Sequence, residues 1–547
     1  MNARERGGSG AGDDFMTRTW LAGALLACSA LGGTAIAAEA EPKPAMEQVP
    51  PRQPGEGEGP YAKLVIRGAM VIPGDGGPPF GPADVVIEGN RITQVNPIGA
   101  PGTALPANRE PRGAAREIDA SGMWLMPGFI DTHGHNGDPD KAPNASYGYK
   151  LWLAHGVTSV RGVSFYGGDV DQTMSDRRRS AAGTITAPRL FPYAVFGDWP
   201  NGAVDSPAQA RAFVAWAARQ GFDGIKFFNG DPPEATVAGL AEARRLKLGT
   251  VAHLAQVGVA RFNARDAGRA GLGSITHFYG HFEALLKDRR LQTLSPDYNY
   301  LNEQSRFGDF AQLADQIVEP GGPEWTAYLR EQLDHGVIFN PTLNIYSASR
   351  DLMRARNADW QAAYSLPSLM KFFTPNRDTH GSYFYDWTTA REVAWRKFYG
   401  PYMRLMNDYK NIGGLVTVGS DPGYIYQPWG FAYIGELEML QEAGFSPLEV
   451  IQSATWNGAQ ELYRPKGVQP PIGLIAPGKL ADIVIAPENP LQNLKTLYGT
   501  GFQRLGADGK LQRVGGVRYT IKDGIVYDAP KLLEAVAAMV AAQKAAD

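Results

Sequence analysis

The stretch that decides the fold is Pro127-Gly128-Phe129-Ile130-Asp131-Thr132-His133-Gly134-His135. It continues an apolar run that begins at Trp124 and ends at Ile130, and such a run predicts a buried β-strand. Two histidines follow the strand with one residue between them. Residues i and i+2 of an extended segment point to the same side, so both imidazoles can bind one cation. Alone, the pair is weak evidence, because two histidines in a loop can equally be structural.

Seven further short apolar segments follow along the chain, and helical stretches separate them. They are Thr158–Val163, Arg189–Phe196, Gly224–Phe228, Gly249–Leu254, Ser274–Phe278, Val337–Leu343 and Leu415–Ser420. Eight strands that alternate with helices predict an α/β fold, a (β/α)8 TIM barrel, which we place at residues 121–460. The connections at 279–336 and 344–414 are long, and in such barrels they cover the face that holds the active site.

Short strands separated by turns are predicted at residues 61–120, and the same pattern recurs at residues 461–528. The two regions predict one small β-sandwich domain that is built from both chain ends. Residues 529–547 are predicted to form a C-terminal helix.

Four of the other predicted barrel strands carry a residue of a metal-binding type at or near their ends: Lys226, His253, His277 and Asp421. One histidine at a strand end is more often structural, and a lysine there can extend its ammonium group into solvent. Five of eight strands with such residues at one rim favour a metal site, because barrel active sites lie at that rim. The one cysteine, Cys28, excludes a zinc site made of thiolates, so any metal is held by histidines and carboxylates. A lysine that is carbamylated by CO₂ becomes a carboxylate and can bridge two cations.

Further motifs accompany the first stretch over residues 62–528. They are Ala154-His155-Gly156-Val157-Thr158-Ser159-Val160-Arg161, Pro341-Thr342-Leu343, Ala454-Thr455-Trp456-Asn457-Gly458-Ala459 and Gly473-Leu474-Ile475-Ala476-Pro477-Gly478-Lys479-Leu480-Ala481-Asp482-Ile483-Val484. Together they resemble the amidohydrolase superfamily, and within it the imidazolonepropionase and Xaa-Pro dipeptidase-like branch. Two positions depart from the family pattern: Ser420 precedes Asp421 where threonine is commoner, and Leu254 follows His253. Neither departure removes a ligand.

The resemblance implies a site with two divalent metal ions, for which zinc is the expected metal. It implies that one ion is held by His133, His135 and Asp421, the second by His253 and His277, and that carbamylated Lys226 bridges them.

The resemblance also implies the activity of a metal-dependent amidohydrolase, which hydrolyses an amide or dipeptide C–N bond with a metal-activated hydroxide. Asp421 would accept the proton of the attacking water and pass it to the leaving amine. Two alternatives remain open. The same site could hydrolyse an ester, a lactone or a cyclic amide, or the barrel could be a binding protein without catalytic activity.

Three further residues are candidates for contact with the substrate or with the ligand side chains: Tyr279, His281 and Tyr424. Aromatic residues are dense in the long connections and could line a pocket for a bulky group. Packing of these connections against the barrel explains the same residues equally well.

The charge balance excludes one class of partner. With 53 Lys+Arg against 56 Asp+Glu, the chain has no basic excess for a nucleic-acid backbone, so the expected partner is a small-molecule or peptide substrate. A homo-oligomer is left open.

Residues 1–37 resemble a signal peptide that directs the protein to the periplasm or the medium, and a lipid anchor through Cys28 is the alternative. Residues 38–60 are predicted to be a disordered linker, and no other stretch predicts a membrane span.

Overall fold

The computed structural model describes residues 46–107, 109–137, 139–164, 170–228, 230–294, 296, 298–300, 302–376 and 381–546. The predicted signal peptide and Cys28 lie outside the described residues. None of the helices in these ranges has both the length and the apolar character that a bilayer crossing requires.

The β-strands of the described ranges belong to two large sheets and one small hairpin. Their bounds are β1 (Leu64–Val71), β2 (Phe80–Glu88), β3 (Arg91–Pro97), β4 (Arg116–Asp119), β5 (Trp124–Pro127), β6 (Phe129–His135), β7 (Val157–Ser164), β8 (Arg189–Val195), β9 (Gly224–Phe227), β10 (Gly249–His253), β11 (Ser274–Thr276), β12 (Ile338–Asn340), β13 (Ile483–Ala486), β14 (Phe502–Leu505), β15 (Leu511–Val514), β16 (Tyr519–Lys522) and β17 (Ile525–Asp528).

The helices follow the barrel strands and fill the long connections. Their bounds are α1 (Ser146–Ala154), α2 (Val170–Ala181), α3 (Pro207–Gln220), α4 (Pro233–Arg245), α5 (Ala264–Arg269), α6 (Glu303–Phe310), α7 (Pro323–Asp334), α8 (Ser347–Arg350), α9 (Leu352–Arg356), α10 (Gln361–Tyr364), α11 (Pro367–Phe373), α12 (Thr389–Asn411), α13 (Phe431–Glu442), α14 (Pro447–Gln452), α15 (Gly458–Tyr463) and α16 (Ala529–Ala546). Shorter helical turns lie at Glu283–Leu285, Ala311–Asp315, Leu343–Tyr346, Ser453–Asn457, Arg464–Lys466 and Leu494–Leu497.

Seven parallel strands, β6 to β12, pair in chain order and form the barrel wall. The eighth position is taken by residues 415–418, which lie between β12 and β6. Phe339 of β12 pairs with Val416 in parallel, and the Thr132 amide of β6 donates to the Val418 carbonyl over 2.9 Å. These bonds close the ring, so the predicted TIM barrel is confirmed.

The first predicted strand, Trp124–Ile130, is wrong in its bounds. It is divided at Gly128: β5 belongs to the second sheet, and β6 starts the barrel. A Cβ atom at Gly128 would lie 2.2 Å from the Thr158 hydroxyl oxygen, so only glycine fits where the chain passes between the two sheets.

The second sheet has eight strands and draws them from both chain ends, as expected from the sequence. The order is β17-β16-β13-β5-β1-β2-β3, and β4 pairs with β1. Its apolar core combines residues from the N-terminal and C-terminal parts, including Ile66, Val85, Ile483 and Ile521. Burial of these side chains holds the two ends of the chain together.

Residues 46–60 correct the predicted disordered linker. Val49 is 2% exposed, the Glu47 amide donates to the Pro143 carbonyl, and the Arg52 amide donates to the Thr184 carbonyl. The proline- and glycine-rich composition suggested disorder, but this segment has a packing surface in the barrel helices and makes backbone hydrogen bonds to it.

A buried ion pair lies inside the barrel, between Arg161 of β7 and Glu461 of α15. The Arg161 side chain is 1% exposed and that of Glu461 4%. Glu461 also accepts a hydrogen bond from Thr417 over 2.7 Å, and Arg161 donates to the Ser274 hydroxyl over 3.2 Å. Through these bonds the pair connects β7, β11 and the wall segment that contains Thr417 with α15.

We expect Glu461→Gln to lower the free energy of unfolding by about 3–5 kcal/mol, because it leaves the Arg161 charge buried without a counter-charge. Denaturant unfolding of metal-saturated protein measures this effect. The control is the double variant Arg161→Met/Glu461→Met, in which no charge remains and most of the loss is recovered. A loss under about 1 kcal/mol in the single variant would contradict the role of the pair.

Candidate metal centre

The barrel topology brings the predicted ligands to one rim. His133 and His135 lie at the end of β6, Lys226 lies in β9, and His253 is the last residue of β10. His277 follows β11 directly, and Asp421 follows the eighth wall segment. In parallel strands these ends lie at the same edge, so residues far apart in sequence meet there.

Three of these residues form the tightest group. One ligand atom from each of His133, His277 and Asp421 can be chosen so that all three lie within 4.8 Å of one another. The Asp421 carboxylate lies 3.6 Å from His133 Nε2, 3.1 Å from His135 Nε2 and 3.9 Å from His277 Nε2. The His253 ring lies 4.6 Å from the His277 ring, centroid to centroid. Asp421 therefore contacts both histidine sets that were assigned to separate metals.

The backbone at the rim adopts conformations that most residues avoid. His277 has φ 66° and Asp421 has φ 47°, both in the left-handed region. Hydrogen bonds fix both residues: the His277 amide donates to the Asn340 carbonyl and the Asp421 amide to the His133 carbonyl. Strain of this kind is retained where a side chain must point in one direction.

The charge state of two of the histidines suits metal binding. Burial lowers the pKa of His133 and His277 well below the usual value. Both rings are therefore neutral at pH 7, the form that coordinates metals. His277 Nδ1 bonds the Thr342 hydroxyl over 2.6 Å, which leaves Nε2 for a metal. His133 Nδ1 is buried and has no partner among the described residues.

Lys226 is fully buried beside the histidines. Its Nζ donates to the Thr276 hydroxyl over 3.0 Å and lies 5.2 Å from the centre of the Phe228 ring. Burial lowers the pKa of Lys226 well below its usual value, and the Arg161 guanidinium lowers it further. A neutral amine is the form that reacts with CO₂, so the site suits a carbamylated lysine.

Asp131 holds the two ligand segments together. It accepts hydrogen bonds from the amides of His133 and Ser420, from the Ser420 hydroxyl and from the Trp152 indole. Burial raises the pKa of Asp131 to about 6, although these four bonds oppose the shift. The carboxylate thereby fixes the segment before Asp421 to the strand that carries His133.

The sequence model of the amidohydrolase family matches residues 402–525, which include Asp421 and the C-terminal strands of the second sheet. Over these residues the chain is similar to the amidohydrolase family. The match and the rim geometry agree with the resemblance that the sequence motifs carry.

Two curated relatives are similar to parts of this chain. An N-acyl-D-aspartate deacylase from Alcaligenes xylosoxydans xylosoxydans is 30% identical over 154 residues, which cover 27% of this chain and 26% of the relative. An allantoinase from Solibacter usitatus is 30% identical over 220 residues, 38% of this chain and 44% of the relative. The chain thus spans a quarter to less than half of these relatives.

Solved structures share the fold over most of the chain. A Xaa-Pro dipeptidase has a TM-score of 0.55 and 19% identity, and the match covers 85% of this chain and 100% of the other. Ochratoxinase from A. niger has a TM-score of 0.54 and 17% identity, with coverage of 86% and 96%. At this identity, the likeness shows the fold alone.

The three candidate substrate residues lie in different places relative to the candidate metal centre. Tyr279 stacks on His253, and Tyr424 contacts the edge of His135, so both lie at the metal centre. His281 does not. Its ring contacts Tyr328 of α7 and Phe339, and Phe339 in turn stacks on Tyr409 of α12. These contacts place His281 on the helix side of β12, and its expected role at the site is not supported.

Sequence reasoning missed three residues that contact the candidate ligands: Asp131, Thr342 and Tyr346. Asp131 stood within the first stretch and Thr342 within Pro341-Thr342-Leu343, but a motif does not reveal which hydrogen bonds its residues make. Tyr346 had no signal, because it is one aromatic residue among many in a long connection.

Proposed function

We propose that the protein is a metal-dependent hydrolase that cleaves an amide or dipeptide C–N bond. The observation that carries this proposal is the group of His133, His277 and Asp421, whose ligand atoms lie within 4.8 Å at the barrel rim. Two neutral imidazoles and one carboxylate are a donor set that suits zinc and similar divalent ions. The likeness to an N-acyl-D-aspartate deacylase and to a Xaa-Pro dipeptidase supports amide substrates.

The proposal includes two metal ions, with carbamylated Lys226 as the shared ligand. His135 lies on one side of Asp421, 3.1 Å from its carboxylate, and His253 lies beside His277 on the other side. Lys226 Nζ lies 3.0 Å from the hydroxyl of Thr276, the residue that precedes His277. This arrangement supports the division into one ion at His133, His135 and Asp421 and a second at His253 and His277.

The chemistry follows from the positions of the protein groups. Divalent ions bound there would lower the pKa of water and polarise a carbonyl group. Asp421 accepts the proton of the attacking water and donates it to the leaving nitrogen, because its carboxylate lies among the ligands and its side chain is 11% exposed. Burial of His133 and His277 keeps bulk water away from this side of the site.

Metal analysis and a substrate panel test the proposal together. We expect about two metal ions per chain, loss of activity on treatment with a chelator, and recovery on addition of zinc, manganese or cobalt. The panel contains N-acyl amino acids, dipeptides, cyclic amides, esters and lactones, and turnover is measured by release of amine, acid or alcohol. Hydrolysis of N-acyl amino acids or dipeptides above the other classes is the expected result.

Two matched alanine variants compare a histidine of the candidate site with a histidine outside it. His277→Ala should lose metal and activity, whereas His335→Ala, which alters an exposed residue at the end of α7, should lose neither. If the protein prefers esters or lactones, ester or lactone hydrolysis would replace amide hydrolysis as the proposed reaction. Tight metal binding without turnover of any class would favour the non-catalytic binding barrel.

A further inference from the structure

Tyr279 lies against the ligand pair that is assigned to the second metal. Its ring is stacked on His253, with 4.7 Å between centroids and 17° between planes, and it meets His277 edge-on at 5.9 Å. The side chain is held from behind by Phe278 and Phe310. The phenol is thus fixed beside the histidines at the rim.

Tyr346 supplies the one hydrogen bond that the Tyr279 hydroxyl makes in the described part of the chain. The Tyr346 hydroxyl donates to the Tyr279 oxygen over 3.4 Å, a long distance for two hydroxyl groups. Because Tyr279 is the acceptor in this contact, its own proton remains for another partner. No oxygen or nitrogen of the described residues accepts it.

Both phenols face the metal centre. Tyr346 meets His277 edge-on, with 5.8 Å between ring centroids. Tyr279 is 2% exposed and Tyr346 5%. A buried hydroxyl without an acceptor costs free energy, so this arrangement suits an acceptor that arrives with the substrate.

We propose that Tyr279 is a catalytic residue whose hydroxyl donates a hydrogen bond to the carbonyl oxygen of the scissile amide. Tyr346 is its positioning residue, because it occupies the lone pair of the Tyr279 oxygen and so directs the proton toward the site. The inference rests on the proposed amide hydrolysis. It adds a hydrogen-bond donor from the protein to the carbonyl oxygen. With the ligand set alone, polarisation of that carbonyl group would fall to the metal ions.

The bond changes balance without transfer of the tyrosine proton. Water adds to the carbonyl carbon, and the electron pair of the C=O π bond moves onto the oxygen that Tyr279 contacts. The pair returns when the C–N bond breaks, and the leaving nitrogen takes the proton that Asp421 accepted from the water. Tyr279 keeps its proton throughout and stabilises the oxygen while it carries charge.

Tyr279→Phe tests the inference with the substrate that wild-type protein hydrolyses fastest. Loss of one preorganised donor to such an oxygen costs roughly 10²–10³ in kcat, and we expect a fall of that size with little change in KM or metal content. The control is Tyr498→Phe, which removes a buried phenol that bonds Glu438 away from the rim. It should keep kcat within about twofold of wild type.

Two further measurements separate the role in the transition state from a structural one. The affinity of a phosphonamidate analogue of the substrate, whose charged oxygen imitates the developing oxyanion, should weaken by about the same factor as kcat. Tyr346→Phe should lower kcat by a smaller factor, and this effect should vanish in the Tyr279→Phe background.

The outcomes distinguish the inference from the proposed function. Active wild-type protein with a Tyr279→Phe variant within about threefold in kcat and analogue affinity would overturn the inference alone. An equal loss of substrate and analogue affinity would assign Tyr279 to ground-state binding and would also overturn it. A wild-type protein that hydrolyses no amide would overturn the proposed function, and the inference with it.

Discussion

Replacement of Asp421 by asparagine is expected to lower kcat by at least about a hundredfold while most of the metal is retained. The amide keeps a carbonyl oxygen that can coordinate an ion, although more weakly without the charge. It cannot accept a proton from water at neutral pH, and general base catalysis is worth about 10²–10⁴ in rate. The Asp421 carboxylate lies 3.1 Å from His135 and 3.6 Å from His133, so no other described carboxylate is placed equally well among the ligands.

Asp508→Asn is the control, because it makes the same chemical change at an exposed position in the β14–β15 hairpin. Steady-state kinetics and metal analysis of the two variants decide the result. Normal turnover with bound metal in Asp421→Asn would show that the proton goes elsewhere. His281 would not be the substitute, since its ring contacts Tyr328 and Phe339.

Lys226→Ala is expected to lower the metal content from about two ions per chain and to reduce activity by at least about a hundredfold, because it removes the shared ligand. The alanine also leaves a space where Nζ bonded the Thr276 hydroxyl. A short carboxylate such as propionate can enter this space and replace the carbamate group. Partial recovery of activity with propionate in bicarbonate-free buffer is therefore part of the expected result.

Lys522→Met is the matched control for this prediction. Lys522 is also buried, but its Nζ donates to the Ser180 carbonyl outside the rim, and its loss should leave the metal content unchanged. Mass spectrometry of native protein checks the carbamate directly. A wild-type protein with a single tightly bound ion, and a Lys226→Ala variant with full activity, would disprove the bridge.

The barrel, and the meeting of the candidate ligands at one rim, were predictable for a simple physical reason. Alternation of apolar strands with helices is a local pattern, and it places every strand end at the same rim. Ligand-type residues at those ends could therefore be assigned to one place without knowledge of distances. The grouping around Asp421 could not, because the direction of His277 depends on a left-handed backbone conformation that its residue type does not predict.

The errors have equally specific causes. Trp124–Ile130 is apolar on both sides of Gly128, so composition shows one strand where the chain changes sheets. His281 was selected by its distance of four residues from His277, but the turn that begins at His277 sends it to the helix side of the wall. Tyr346 and Asp131 matter through their hydrogen bonds, which a single sequence does not contain.

Gly128 has a consequence for the synthesis of the protein. It alone separates β5 from β6, and β5 pairs with β13, which is translated after the whole barrel. During translation, β5 can pair with β1 as soon as both have emerged, but its second neighbour is absent until residues 483–486 have left the ribosome. Pairing between such distant segments is slow. The second sheet is therefore completed only near the end of synthesis, after all strands of the barrel have been translated.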